Sequence, residues 1–150
     1  MTQSAIPQYA SQFRHSLDDK NRLTIPSGWR NGHTELDEFL AIPHPDGYIS
    51  VLPPLEGANL RAKTTQKSLM DTAAQNALAL LFSVSFTLSF DKQGRISVAD
   101  SLRRHAGIDK DAVLVGLYTK FNIYSPAHWD KLLQAIPGQG LGDAIRNLGI

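Results

Sequence analysis

The sequence predicts an α+β, mainly β protein: two tandem copies of one half-domain that exchange hairpins and close a pseudo-two-fold barrel, with a connecting helix and a C-terminal helical segment. The first ground for this is an internal repeat. Sliding the chain on itself aligns Leu17–Pro53 with Phe90–Pro126 without a gap, placing Asp18 on Asp91, Arg22 on Arg95, Arg30 on Arg103 and Pro53 on Pro126. Residue character matches between these identities, as in Leu23/Ile96, Thr24/Ser97, Ile25/Val98, Leu40/Val113, Ile42/Val115 and Tyr48/Phe121. The second ground is the order of local signals, which in both copies runs strand, turn, strand, short helix, hairpin. The third is size: neither half can bury an adequate core alone, whereas two halves sharing one core can.

The second copy is the clearer to read. Val84, Phe86, Leu88 and Phe90 alternate with Ser83, Ser85, Thr87 and Ser89, the period of two that marks a strand with one buried face. Asp91-Lys92-Gln93-Gly94 then turns the chain, Gly94 supplying a positive φ and the Asp91 carboxylate capping loop amides. Alternation resumes in Arg95-Ile96-Ser97-Val98 and puts Arg95 and Ser97 on the polar face. Asp100 or Ser101 caps a short helix through Ala106, closed by Gly107. Ala112–Leu117 and Lys120–Tyr124 form a hairpin about a Leu-Tyr-Thr-Lys bend.

The first copy repeats this in other residues. Leu17 leads into Asp18-Asp19-Lys20-Asn21, where Asn21 takes the glycine position because asparagine tolerates the left-handed region better than most residues. Arg22-Leu23-Thr24-Ile25 is the strand, Pro26-Ser27 opens a helix around Trp29 and Arg30, and Asn31-Gly32 ends it. Phe39–Ile42 and Tyr48–Leu52 flank Pro-His-Pro-Asp-Gly, a turn by composition.

Between the copies, Leu69, Ala73, Ala77 and Leu81, with Met70, Ala74, Leu78 and Phe82 beside them, form a helical stripe suited to packing against a sheet or another subunit. Ser125-Pro126 opens a further helix carrying Trp129, Leu132 and Leu133, and the tail after Pro137 is glycine-rich, then weakly helical. The expected division is repeat 1 over 12–57, connecting helix over 59–82, repeat 2 over 83–129 and helical tail over 130–150.

Composition narrows the function. The chain has 150 residues, 42% hydrophobic and 19% charged, enough for one compact domain. Without cysteine it has no disulfide, no thiol nucleophile and no cysteine-ligated zinc, in keeping with a reducing cytoplasm. His15, His33, His44, His105 and His128 lack the spacing that sets two imidazoles on one helix face, so no metal and no cofactor is expected. Met1–Ser11 does not read as a signal peptide, and no stretch is long and apolar enough for a membrane span. Serine–histidine–aspartate order, phosphate loops and paired helical acids are all missing, so neither an enzyme nor a small-molecule substrate is expected. The net charge of +1 means that any contact with nucleic acid relies on a few placed arginines or on several subunits together.

Leu17-Asp18-Asp19-Lys20-Asn21-Arg22-Leu23-Thr24-Ile25-Pro26-Ser27-Gly28-Trp29-Arg30 resembles the first D-x-x-x-R signature of the MraZ family. Asp91-Lys92-Gln93-Gly94-Arg95-Ile96, followed by Leu102-Arg103, Ala106-Gly107 and Ile123-Tyr124-Ser125-Pro126, resembles the second. Asn21 departs from the usual glycine, and Ala99 stands where the second copy commonly has proline. The resemblance implies tandem SpoVT-AbrB-like half-domains in a cytoplasmic, nucleoid-associated transcription regulator. It implies a homo-oligomeric ring that binds short repeated G-rich boxes in promoter DNA and represses the division and cell-wall gene cluster, its own gene included.

The same resemblance puts Arg22 and Arg95 on the DNA. An arginine at the start of a strand, just after a turn, can donate two bonds to guanine O6 and N7. Lys20, Arg14, Lys92 and Arg104 are candidates for phosphate contacts, which give affinity and salt dependence but not sequence choice. Asp18, Asp91, Asn21 and Gly94 are expected to stabilise the turns. The Asp–Arg pairs also fit a purely local role as ion pairs within each turn. A ring-forming structural protein and an AbrB-type antitoxin are the alternative readings.

Overall fold

The computed structural model describes residues 8–136 and 140–150. Part of Met1–Ser11, and Pro137 at the start of the glycine-rich tail, fall outside them. The elements in chain order are β1 (Gln12–Ser16), β2 (Arg22–Thr24), α1 (Ser27–Arg30), β3 (Phe39–His44), β4 (Tyr48–Leu52), α2 (Pro54–Thr65) and α3 (Thr72–Ser83). The second half follows with β5 (Phe86–Leu88), β6 (Arg95–Ser97), α4 (Asp100–His105), β7 (Asp111–Gly116), β8 (Phe121–Tyr124), α5 (Pro126–Ala135) and α6 (Leu141–Leu148). The protein is mixed α+β with antiparallel strands throughout.

Six strands form one sheet in the order β1-β7-β8-β4-β3-β5, and β2 pairs with β6 in a separate ribbon. Each copy's first strand lies against the other copy's hairpin, β1 on β7 and β5 on β3. The hairpins β3–β4 and β7–β8 join through β4 and β8, with Ile49 opposite Ile123 and Val51 opposite Phe121. Replacing every strand by its counterpart in the other copy returns the same order.

The barrel expected from the sequence is not closed: β1 and β5 are the two edges of the sheet. Two tight turns explain this. After β1 the chain reverses at Asp18–Asn21, and before β6 it reverses at Asp91–Gly94, so the second strands leave the sheet and meet each other. The core lies where the two copies meet, with Leu23, Ile25, Phe39 and Ile49 from the first packed among Ile96, Leu102, Leu114, Phe121 and Ile123 from the second. At these sites burial removes apolar surface from water, worth roughly 1.5–3 kcal/mol per large side chain.

Two further differences concern helices. The connecting stretch is two helices, because Ser68 and Asp71 offer their own caps inside it. Ser68 Oγ accepts from Met70 N at 3.1 Å and Asp71 Oδ1 from Ala74 N at 3.0 Å. Leu69 and Met70 fall in the break, and α3 contributes no buried residue. In α4 the capping position is Ala99, and Asp100 in the first turn accepts instead from Asn21 Nδ2 of the other copy at 3.0 Å. Ser125 does cap α5, accepting from His128 N at 3.1 Å.

Strand β1 carried no clear sequence signal. It is anchored from before its start: Tyr9 is buried and exchanges backbone hydrogen bonds with Tyr118, and Trp29 Nε1 donates to Ala10 O at 2.9 Å. The Tyr9 hydroxyl bonds His33 Nε2, and His33 Nδ1 bonds Asp37 Oδ2 at 2.9 Å, a polar chain let into an aromatic cluster with Trp29, Phe39 and Phe121. Burial raises the Tyr9 phenol well above its ordinary range, so it stays a neutral hydroxyl.

Candidate nucleic-acid interface

The ribbon pairs Arg22 with Ser97, Leu23 with Ile96 and Thr24 with Arg95. Strand alternation sends Leu23 and Ile96 into the core, where both are buried, and leaves Arg22, Thr24, Arg95 and Ser97 on one outer face. Leu23 and Ile96 therefore position the arginines by anchoring the face opposite to them.

Each arginine is held by the aspartate four residues before it. Asp18 Oδ1 accepts from the amides of Lys20 and Arg22, both at 2.9 Å, and Oδ2 accepts from Arg22 Nε at 2.7 Å. Asp91 repeats the set: Oδ1 accepts from the amides of Gln93 and Arg95, both at 2.9 Å, and Oδ2 from Arg95 Nε at 2.8 Å. Both carboxyls lie below the ordinary carboxylate value, chiefly because the amides of Arg22 and Arg95 bond their charged forms, with the guanidinium bonds adding to the effect. The local ion-pair role is thus present in both copies. Within each turn the clamp engages the guanidinium through Nε; bidentate donation to guanine would use the Nη groups.

The turns also grip each other. Ile25 N donates to Gly94 O at 3.0 Å and Val98 N to Asn21 O at 2.9 Å, so each turn is fixed by the other copy's strand. Asn21 and Gly94 both hold positive φ, 58° and 75°, as their positions in the turns demand. Arg95 Nη1 also lies 3.6 Å from Asp18 Oδ2, a cross-copy ion pair that reading either repeat alone does not reveal.

The other predicted residues are divided. Lys20 and Lys92 are exposed at the turn tips beside the ribbon. Arg104 is exposed on α4, its Nε donating to Asp100 O at 3.3 Å. Arg14, on the edge strand β1, is tied to Asp130 of α5 at 3.0 Å, so its guanidinium is engaged with that helix. Arg30 lies across the Gly94 turn of the other copy, and Arg103 Nη1 donates to Ile108 O at 3.1 Å. Among the described residues no group of three His, Asp or Glu side chains is arranged to hold a metal, and no helix is long and apolar enough to cross a membrane.

Fold and surface together define a tandem-repeat α+β protein whose two halves jointly build one ribbon with paired, aspartate-clamped arginines. Residues 81–140 match the family model described as "MraZ protein, putative antitoxin-like". The Transcriptional regulator MraZ of Natranaerobius thermophilus is 35% identical over 126 residues, covering 84% of this chain and 87% of that protein. Those of Pediococcus pentosaceus, 33% identical over 93% of this chain and 96% of its own, and Halothermothrix orenii, 30% identical over 95% and 99%, agree. The chain belongs to the MraZ family.

Proposed function

We propose that the protein is a DNA-binding transcriptional regulator, not an enzyme, that reads double-stranded promoter DNA with the β2–β6 ribbon. The observation that carries this reading is the pair of clamped arginines on one exposed face. A two-stranded ribbon is of a size to enter the major groove, and a clamped arginine loses little freedom on meeting guanine. The name transcriptional regulator, borne by relatives that match nearly the whole chain, supports it. One ribbon recognises few bases, and each guanine contact discriminates by only about 1–3 kcal/mol. The reading therefore includes a homo-oligomeric ring acting on short direct repeats, where avidity multiplies weak contacts. It also includes repression of the division and cell-wall cluster with the protein's own gene, a cytoplasmic, nucleoid-associated location, and swapped-hairpin half-domains at 12–57 and 83–129 joined through 59–82, with a tail at 130–150.

The test is fluorescence anisotropy of the protein with its own upstream region and with a scrambled fragment, across a salt series. The native fragment is expected to bind more tightly, both affinities falling as salt rises. Arg22→Ala/Arg95→Ala is expected to abolish the preference while keeping fold and oligomeric size. Equal binding of both fragments by the wild-type protein would sink the proposal.

A further inference from the structure

Two further side chains share the outer face of the ribbon with the clamped arginines. Thr24 and Ser97 are exposed, each directly opposite the other copy's arginine, and among the described residues neither hydroxyl makes a hydrogen bond. Cross-strand neighbours on one face lie about 4.5–5.5 Å apart at Cβ. The four side chains thus form a compact quadrilateral, with Arg22 and Arg95 on one diagonal and Thr24 and Ser97 on the other. A duplex that meets both arginines lies over both hydroxyls.

The two positions are equivalent in the repeat but differ chemically. Threonine carries a γ-methyl group and serine does not. In the major groove the one apolar feature of a base pair is the thymine C5-methyl group, which a threonine methyl can pack against. A serine hydroxyl offers only a donor and acceptor. The turn tips differ in the same sense: Asp19-Lys20 in the first copy stands against Lys92-Gln93 in the second, giving the second turn the more positive charge.

Building on the proposed DNA reading, we infer that Thr24 and Ser97 are specificity-determining residues, with the Thr24 methyl packing on a thymine C5-methyl and Ser97 hydrogen-bonding a base edge. The two ends of the ribbon then read different bases. A pseudo-symmetric ribbon with unlike ends binds its DNA box in one orientation, and the thymine requirement falls in the half under Thr24.

The experiment uses the full chain and the upstream fragment, prepared once with thymine and once with deoxyuridine, which removes only the C5-methyl groups. Wild type is expected to bind the deoxyuridine fragment about three- to tenfold more weakly, the scale of one buried methyl contact. Thr24→Ser is expected to lose a similar factor on the thymine fragment and to show little further loss on deoxyuridine. Ser97→Ala is expected to weaken both fragments by the same factor. If Thr24→Ser retains the full sensitivity to methyl removal, or wild type shows none while still preferring native over scrambled DNA, the inference fails and the DNA reading stands. If wild type shows no preference for native DNA, both fail.

Discussion

Replacing Gly94 by alanine sets two separate costs against one gain. The residue sits at φ 75°, in the left-handed region, where an L side chain costs about 1–2 kcal/mol. An added Cβ would also lie 2.6 Å from Arg30 Cδ and closer to the guanidinium. Arg30 must then swing off the turn; a flexible side chain can do so, at the low end of the overpacking range, about 1 kcal/mol. Against this, alanine lowers the entropy of the unfolded chain by about 0.4–1 kcal/mol. The expected net loss is about 2 kcal/mol. Asn21, the counterpart position, is already a side-chain-bearing residue at φ 58°, so in Asn21→Gly the relieved left-handed strain offsets the freer unfolded chain, and the net loss should be that of its hydrogen bond to Asp100, about 0.5–1.5 kcal/mol. Urea unfolding followed by circular dichroism at one fixed protein concentration measures both. Arg30→Ala in the Gly94→Ala background should recover the steric part, a coupling of about 1 kcal/mol. A Gly94→Ala protein as stable as wild type, or no coupling to Arg30, would refute the account of how the turns interlock.

Three further outcomes follow from the geometry. Tyr9→Phe strands the His33 ring nitrogen in an aromatic pocket, so stability should fall by about 1–3 kcal/mol in the same unfolding assay, while DNA preference in the folded protein is retained. Because the folded values of Asp18 and Asp91 are depressed, their stabilising contribution is complete above the ordinary 3.8 and is lost as pH falls through the lower folded values. Melting temperature traced from pH 6 downward should therefore show a loss below about pH 4 that is smaller in Asp18→Asn/Asp91→Asn, which keeps amide acceptors but releases the arginines. Lys20→Ala and Lys92→Ala should weaken native and scrambled DNA alike, each reducing the salt slope by about 0.9, as measured by anisotropy.

What the sequence made legible was local and repeated. Asp18 and Arg22, Asp91 and Arg95, the Asn21 and Gly94 turn positions and both hairpins depend on residues within a few positions of one another, so spacing alone locates them. The partner of each strand was harder to see. Nothing in Gln12–Ser16 announces a strand, because its partner β7 and its anchor at Tyr118 lie in the other copy. Pairing of Arg95 with Asp18, and of Asn21 with Asp100, likewise arises only when the copies meet. The connecting segment reads as one helix over 59–82 and is two, because the apolar stripe runs across Leu69 and Met70, where the Ser68 and Asp71 side chains compete for the amides. The expected barrel stayed open because the turns that clamp the arginines also lift β2 and β6 off the sheet.

The most direct test of the central claim is methylation interference. Guanines in the upstream fragment are methylated sparsely at N7, which blocks the major-groove acceptor without breaking the base pair, and bound and free DNA are separated and mapped. The account predicts interference at discrete guanines with wild type, lost from some of them in Arg22→Ala and from the others in Arg95→Ala. Tight, sequence-selective binding with no N7 interference would contradict it, because the clamped arginines would then not be reading guanine in the major groove.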